Sequence, residues 1–108
     1  MTLAINGTTY ERLLTADWGD RPEGDYLDAT GSFNAWRDLT IGADVLTATE
    51  FDAFYALEGQ IVSVDAPPYY DRNATEVRYY GAELRGVTGQ HQGPVVVGGR
   101  LELRVFVI

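Results

Sequence analysis

The 108-residue chain has no cysteine, no lysine, a single histidine and no long apolar run. Each absence excludes a class of protein. Without cysteine there is no disulfide framework, no thiolate nucleophile and no cysteine-type zinc site, so packing and backbone hydrogen bonds must hold the fold. A core of this size leaves a thin margin and gains from neighbouring subunits. No apolar stretch approaches the ~18 residues that a membrane-spanning helix needs, and no membrane partner is expected. The segment Met1–Gly7 lacks the basic start and apolar run of a secretory signal.

Catalytic groups are equally scarce. The lone His91 lies in Gly89-Gln90-His91-Gln92-Gly93, which reads as a solvated hairpin tip. The only serines are Ser32 and Ser63, and neither sits in a nucleophile-elbow sequence. Gly98-Gly99-Arg100 leads into a strand rather than a helix, so no phosphate loop is present. The expectation is a protein that is not an enzyme and carries no cofactor.

What the chain does have is acid, arginine and aromatic residues. Residues 1–58 hold eleven acids and three arginines, whereas residues 59–108 hold five of each. The first half would repel a polyanion and the second offers no basic excess, so direct nucleic-acid binding is not expected. All eight basic residues are arginine. Arginine's planar fork suits ion pairs at protein interfaces better than the point charge of lysine, although a GC-rich coding sequence would leave the same bias.

Along the chain, Asn6-Gly7 between Leu3–Ile5 and Thr8–Tyr10 predicts a hairpin with a type I′ turn, since both residues tolerate positive φ. From Thr15 to Gly31 the acids Asp17, Asp20, Glu23, Asp25 and Asp28 are interspersed with glycine and proline, which reads as a long acidic loop. Its carboxylates are hard ligands of the kind calcium or magnesium takes, but their spacing does not match the calcium-loop pattern, and no metal is expected. Phe33–Ile41 alternates as a strand, with Leu39, Ile41 and Arg37 on one face and Trp36, Asp38 and Thr40 on the other.

Thr47-Ala48-Thr49-Glu50 fits a capping box, with Leu46 and Phe51 placed as a hydrophobic staple. The helix should run from about Ala48 to Glu58, with Phe51, Phe54 and Tyr55 on its packed face and Gly59 at C′. Ile61–Val64 reads as a buried strand and Asp65–Asn73 as a loop stiffened by Pro67-Pro68. Glu76–Arg85 reads as a strand, Gly86–Gly93 as a turn, and Pro94–Val97 as extended chain. Gly98-Gly99 marks a bulge or bend, and Leu101, Leu103, Val105 and Val107 alternate through a final strand. Six or so strands around one helix, without βαβ alternation, predict a mainly β, single-domain antiparallel barrel or sandwich with one short α-helix. Trp18, Tyr26, Trp36, Tyr69, Tyr70 and Arg72 are of the residue types enriched at interface hot spots and are the candidate contact residues. Core packing is the plain alternative for Trp36 and one of the tyrosines.

The order of these elements carries a resemblance. Leu39-Thr40-Ile41, the capped Glu50-Phe51-Asp52-Ala53-Phe54 helix and the Glu58-Gly59 exit are followed by the Ala66-Pro67-Pro68-Tyr69 turn. Strands of the Tyr80-Gly81-Ala82-Glu83-Leu84 and Leu101-Glu102-Leu103-Arg104-Val105 type then close the layout. From about Leu39 to Ile108 this resembles the small minor tail proteins of long-tailed phages, the group of lambda minor tail protein M and the distal tail proteins. The acidic Thr15–Gly31 segment has no counterpart there. The resemblance implies a structural protein, carried in the virion tail after synthesis in the host cytoplasm. It would form homo-oligomeric rings, commonly hexamers, that join the tail tube to the tip or baseplate through other virion proteins. An acidic segment facing the ring lumen would repel passing DNA. Alternatives are a capsid decoration or head–tail joining protein, a small carbohydrate- or protein-binding β module, and a metal-assisted hydrolase using the acidic loop.

Overall fold

The computed structural model describes residues 3–19 and 36–106. The chain forms β1 (Ala4–Ile5), β2 (Thr8–Thr9), β3 (Thr15–Trp18), β4 (Trp36–Thr47) and α1 (Ala48–Ala56), followed by β5 (Ile61–Ala66), β6 (Val77–Gln92) and β7 (Val95–Phe106). All pairings are antiparallel, and the strands form one sheet in the order β2-β1-β5-β6-β7-β4-β3. The architecture is mainly β with one short helix, as the alternation predicts, and the single sheet curls into a half-barrel.

Local chemistry explains where the elements start and stop. Asn6 (φ 50°) and Gly7 (φ 79°) make the tight turn between β1 and β2. The β4–β7 ladder runs without a slip from Trp36↔Phe106 to Thr47↔Val95. At its upper end the chain enters α1 through the expected capping box. The Glu50 amide donates to Thr47 Oγ1 at 3.1 Å, and the Thr47 amide donates to Glu50 Oε1 at 3.0 Å. Leu46 and Phe51, the staple pair, are both buried.

Several expectations are corrected. Thr15–Trp18 is a strand and not the start of a loop: Ala16 and Trp18 turn toward the core while the ladder Thr15↔Gly42 to Trp18↔Leu39 satisfies the backbone. The rest of the acidic run, with Tyr26, lies outside the described residues, as do Phe33–Ala35 and the last two residues. The strand predicted to end at Ile41 continues to Thr47, because β7 pairs with it along its whole length. The helix ends at Ala56 with Leu57 as its cap, and Gly59 takes the positive φ (86°) two residues later. Tyr55 is 59% exposed, so only Phe51 and Phe54 anchor the helix. Ile61 is likewise exposed, and β5 runs two residues further than expected, to Ala66.

The largest difference is at Gly86–Gln92, which continues β6 rather than turning. The turn is Gly93-Pro94, closed by the Gln92↔Val95 pair. Packing overrides the glycine signal here. A Cβ at Gly89 would overlap Val96 and press on Phe51 of the helix, so the residue is required by contact and not by a turn. Gly98 (φ 61°) supplies the expected bulge, where the β6–β7 register shifts between Thr88 and Gln90.

The core lies on the concave side. Leu39, Ile41, Val62, Val64, Leu84, Leu101, Leu103 and Val105 point inward from the sheet, and α1 lies over the upper parts of β4, β6 and β7. Phe54 is fully buried, 4.5 Å from the Tyr10 ring. Residues 10–14 pass from β2 at one flank of the sheet to β3 at the other, and Leu13 is buried on the way.

Candidate functional site

Two surfaces gather the aromatic and arginine residues. The first is a seam where the flanks of the half-barrel meet. β3 and β5 are separated in the sheet by β6, β7 and β4, yet the Trp18 indole N–H on β3 donates to the Pro67 carbonyl just after β5 at 2.9 Å. Pro67 and Pro68 are buried and fix the loop that presents this carbonyl. Tyr69 and Tyr79 meet the Trp18 ring edge-on at 6.2 and 5.3 Å. The Arg37 guanidinium stacks 4.4 Å from the Tyr69 ring centre and donates to the Gly19 carbonyl at 3.3 Å. Such a cation over a ring adds attraction that strengthens as water is excluded. Burial raises the Tyr79 hydroxyl above its ordinary pKa, against a hydrogen bond to the Tyr69 backbone.

Outside this knot, Tyr70 is 73% exposed, its ring 5.3 Å from Tyr69. A shallow cleft of about 220 Å³ at the seam is lined by Leu14, Asp17, Trp18, Pro67 and Arg72 among others.

The second surface is the convex face. Trp36 and Phe106 are register partners with rings 5.8 Å apart, and Arg104 lies 5.1 Å from the Trp36 ring centre. The Phe106 side chain lies over Gly81 of β6. Tyr80 is 76% and Phe106 49% exposed. Arginines and acids alternate across the same face. Arg78 grips Asp65 with a two-toothed fork at 2.8 and 3.0 Å, which holds the Asp65 carboxyl below its ordinary pKa. Arg104–Asp38, Arg85–Glu83 and Arg100–Glu102 are looser, at 3.8 to 3.9 Å.

Four of the six candidate contact residues, Trp18, Tyr69, Tyr70 and Arg72, therefore converge on the seam, although Trp18 and Tyr69 spend much of their surface inside it. Trp36 lies on the convex face and is half-buried, and Tyr26 lies outside the described residues. Residue-by-residue reading missed Tyr79, Arg37, Tyr80, Phe106 and Arg104. One signal was available for Arg37: it shares a strand face with Leu39 and Ile41, where a charge needs a partner.

Among the described residues no group of three or more His, Asp or Glu side chains could hold a metal ion. Ser63 exchanges hydrogen bonds with Asn6, and His91 packs edge-on against Phe51, 5.0 Å away. No helix among the described residues is long and apolar enough to cross a membrane. No protein-family model, curated protein or solved structure matches the chain.

Proposed function

We propose that this chain is a structural component of a long-tailed phage tail, a ring-forming protein that links the tail tube to the tip or baseplate. It works by contact and carries no chemistry of its own. The convex face carries the reading. Phe106 stands exposed with its ring against Trp36, which Arg104 covers in turn, and Tyr80 stands exposed on the paired strand, so Phe106 offers an aromatic anchor with little conformational entropy left to lose. The capped helix after a long strand, the Pro67-Pro68 turn and the closing β6–β7 hairpin supply further support, since they follow the layout of the minor tail proteins.

Native mass measurement and negative-stain microscopy at high protein concentration test the assembly, and antibody labelling of purified particles tests the location. Rings in solution and label at one end of the tail tube are the expected results. A chain that stays monomeric at every concentration and is absent from particles would sink the reading.

One observation favours a second reading, a small carbohydrate-binding module. Tyr70 is an exposed aromatic plate beside Tyr69 and Arg72, a setting in which sugar rings stack. Glycan binding that is abolished by Tyr70→Ala would favour it over the tail component.

A further inference from the structure

We infer that copies of this chain join head to tail through the two open edges of the upper sheet, β6 of one copy running beside β4 of the next. The inference rests on the assembly reading above and names the surface and the partner, a second copy of the same chain.

The edges follow from the pairing. In the lower half, β5 covers β6 from Val77 to Glu83, and β3 covers β4 from Leu39 to Gly42. Above that, β6 from Arg85 to Gln92 and β4 from Ala43 to Leu46 pair with β7 alone among the described residues, the next amide, that of Thr47, being taken by Glu50 of the helix cap. A strand with one neighbour leaves alternate backbone N–H and C=O groups unpaired, which is a template for another strand. Neither stretch contains the proline or lysine that commonly blunts such edges, and the bulge in β6 falls at Arg85, the foot of its free stretch.

Geometry selects the mode of joining. Val45 pairs with Val97, which pairs with Gln90, and Thr47 pairs with Val95, which pairs with Gln92. The two free edges therefore stand at the same height. Both β4 and β6 run antiparallel to β7 and hence parallel to each other. A rotation about an axis along the strands brings Gln90 of one copy beside Val45 of the next without a shift along that axis. A head-to-tail contact with no axial rise closes into a ring instead of growing into a filament.

The Trp18–Pro67 bond draws β3 and β5 toward each other across the concave side, and among the described residues nothing pairs with the outer sides of the upper edges.

The absence of cysteine makes the test clean. Val45→Cys and Gln90→Cys are placed in one chain, both at positions with solvent exposure. Within a copy the two thiols are separated by β7, about 10 Å apart, beyond the ~7 Å limit for a disulfide. Between copies they become neighbours. Mild oxidation should give a ladder of covalent multimers ending at the ring size, whereas mixing the two single variants should give covalent dimers only. Amides of Arg85–Gln92 and Ala43–Leu46 in the unaltered chain should also exchange more slowly at assembling concentrations.

A chain that assembles by native mass while the double variant stays uncrosslinked and these amides stay unprotected would overturn the edge contact and leave the assembly reading standing. Covalent dimers from Gln90→Cys alone would show β6 pairing with β6, which also overturns it. A chain that neither assembles nor crosslinks removes both.

Discussion

At its lower end the sheet spans seven strands, and its flanks are tied together by one indole N–H on a proline carbonyl. At its upper end three strands carry a helix on the concave side, and among the described residues nothing pairs with their outer edges. The same sheet thus covers its apolar face in two ways. Below, curling brings Trp18, Tyr69 and Tyr79 together so that side chains from opposite flanks seal the core. Above, the strands are too few to curl closed, and Phe51 and Phe54 of α1 fill the space instead. The lower end stops at β2 and β3, edge strands of only two and four residues, whereas the upper end is covered on its face and leaves longer stretches of β6 and β4 with one neighbour among the described residues. That difference is what points to assembly at one end.

The upper end should be the more fragile, since it depends on one nine-residue helix that is too short to stand alone in water. Phe54→Ala is the strongest way to break it. The ring is fully buried against Tyr10, and its removal should cost about 3–5 kcal/mol, read as a lower denaturation midpoint in urea. Gly89→Ala attacks the same packing from the strand side. The added methyl overlaps Val96 and crowds Phe51, with an expected cost of about 1–3 kcal/mol. If Gly89→Ala is as stable as the unaltered chain, the helix is not seated against β6 as described.

The parts of the fold that were legible in the sequence are those whose signals are local. Asn6-Gly7, the Thr47–Glu50 box and the Leu101–Val105 alternation each declare themselves within a few residues, and all three are observed. The misreadings share one cause. Thr15–Trp18 becomes a strand only through pairing with β4, more than twenty residues away in sequence. Gly86 and Gly89 look like turn residues, yet Gly86 faces the Glu102 side chain and Gly89 faces the helix. The seam was legible only as residue types: Trp18 and Pro67 are 49 residues apart, and nothing local links them. The convex aromatic pair escaped for the same reason, since Trp36 and Phe106 lie far apart in the sequence and meet only through the β4–β7 ladder.

The seam offers a smaller and sharper test. Trp18→Phe keeps an aromatic ring against Tyr79 but removes the donor to Pro67. The loss should be about 1 kcal/mol, the ordinary net value of one hydrogen bond. Exchange of backbone amides in β3 should rise while those in α1 stay protected, because the two ends are covered independently. A uniform rise across both ends would mean that seam and helix unfold as one unit, and the contrast between them would lose its energetic content.

The smallest effects come from protons, and they again concern the lower end alone. Asp65 and Arg78 bridge β5 and β6 there, and the Arg78 hydrogen bonds, partly opposed by burial, lower the Asp65 pKa in the folded chain. Below the unfolded value of about 3.9 the unfolded chain binds a proton that the folded chain resists. The pair's contribution is therefore complete above that pH and is lost as the pH falls through the folded pKa. Tyr79 works in the opposite direction. Burial raises its folded pKa, so its contribution is complete below about pH 10 and falls as the pH rises past the unfolded value. Urea midpoints measured across pH should drop at both extremes. Asp65→Asn should flatten the acid limb and leave the alkaline one, while Tyr79→Phe should do the reverse. Because Arg78 is half-exposed, solvent screens the acid limb, and its change should be the slightest of those described.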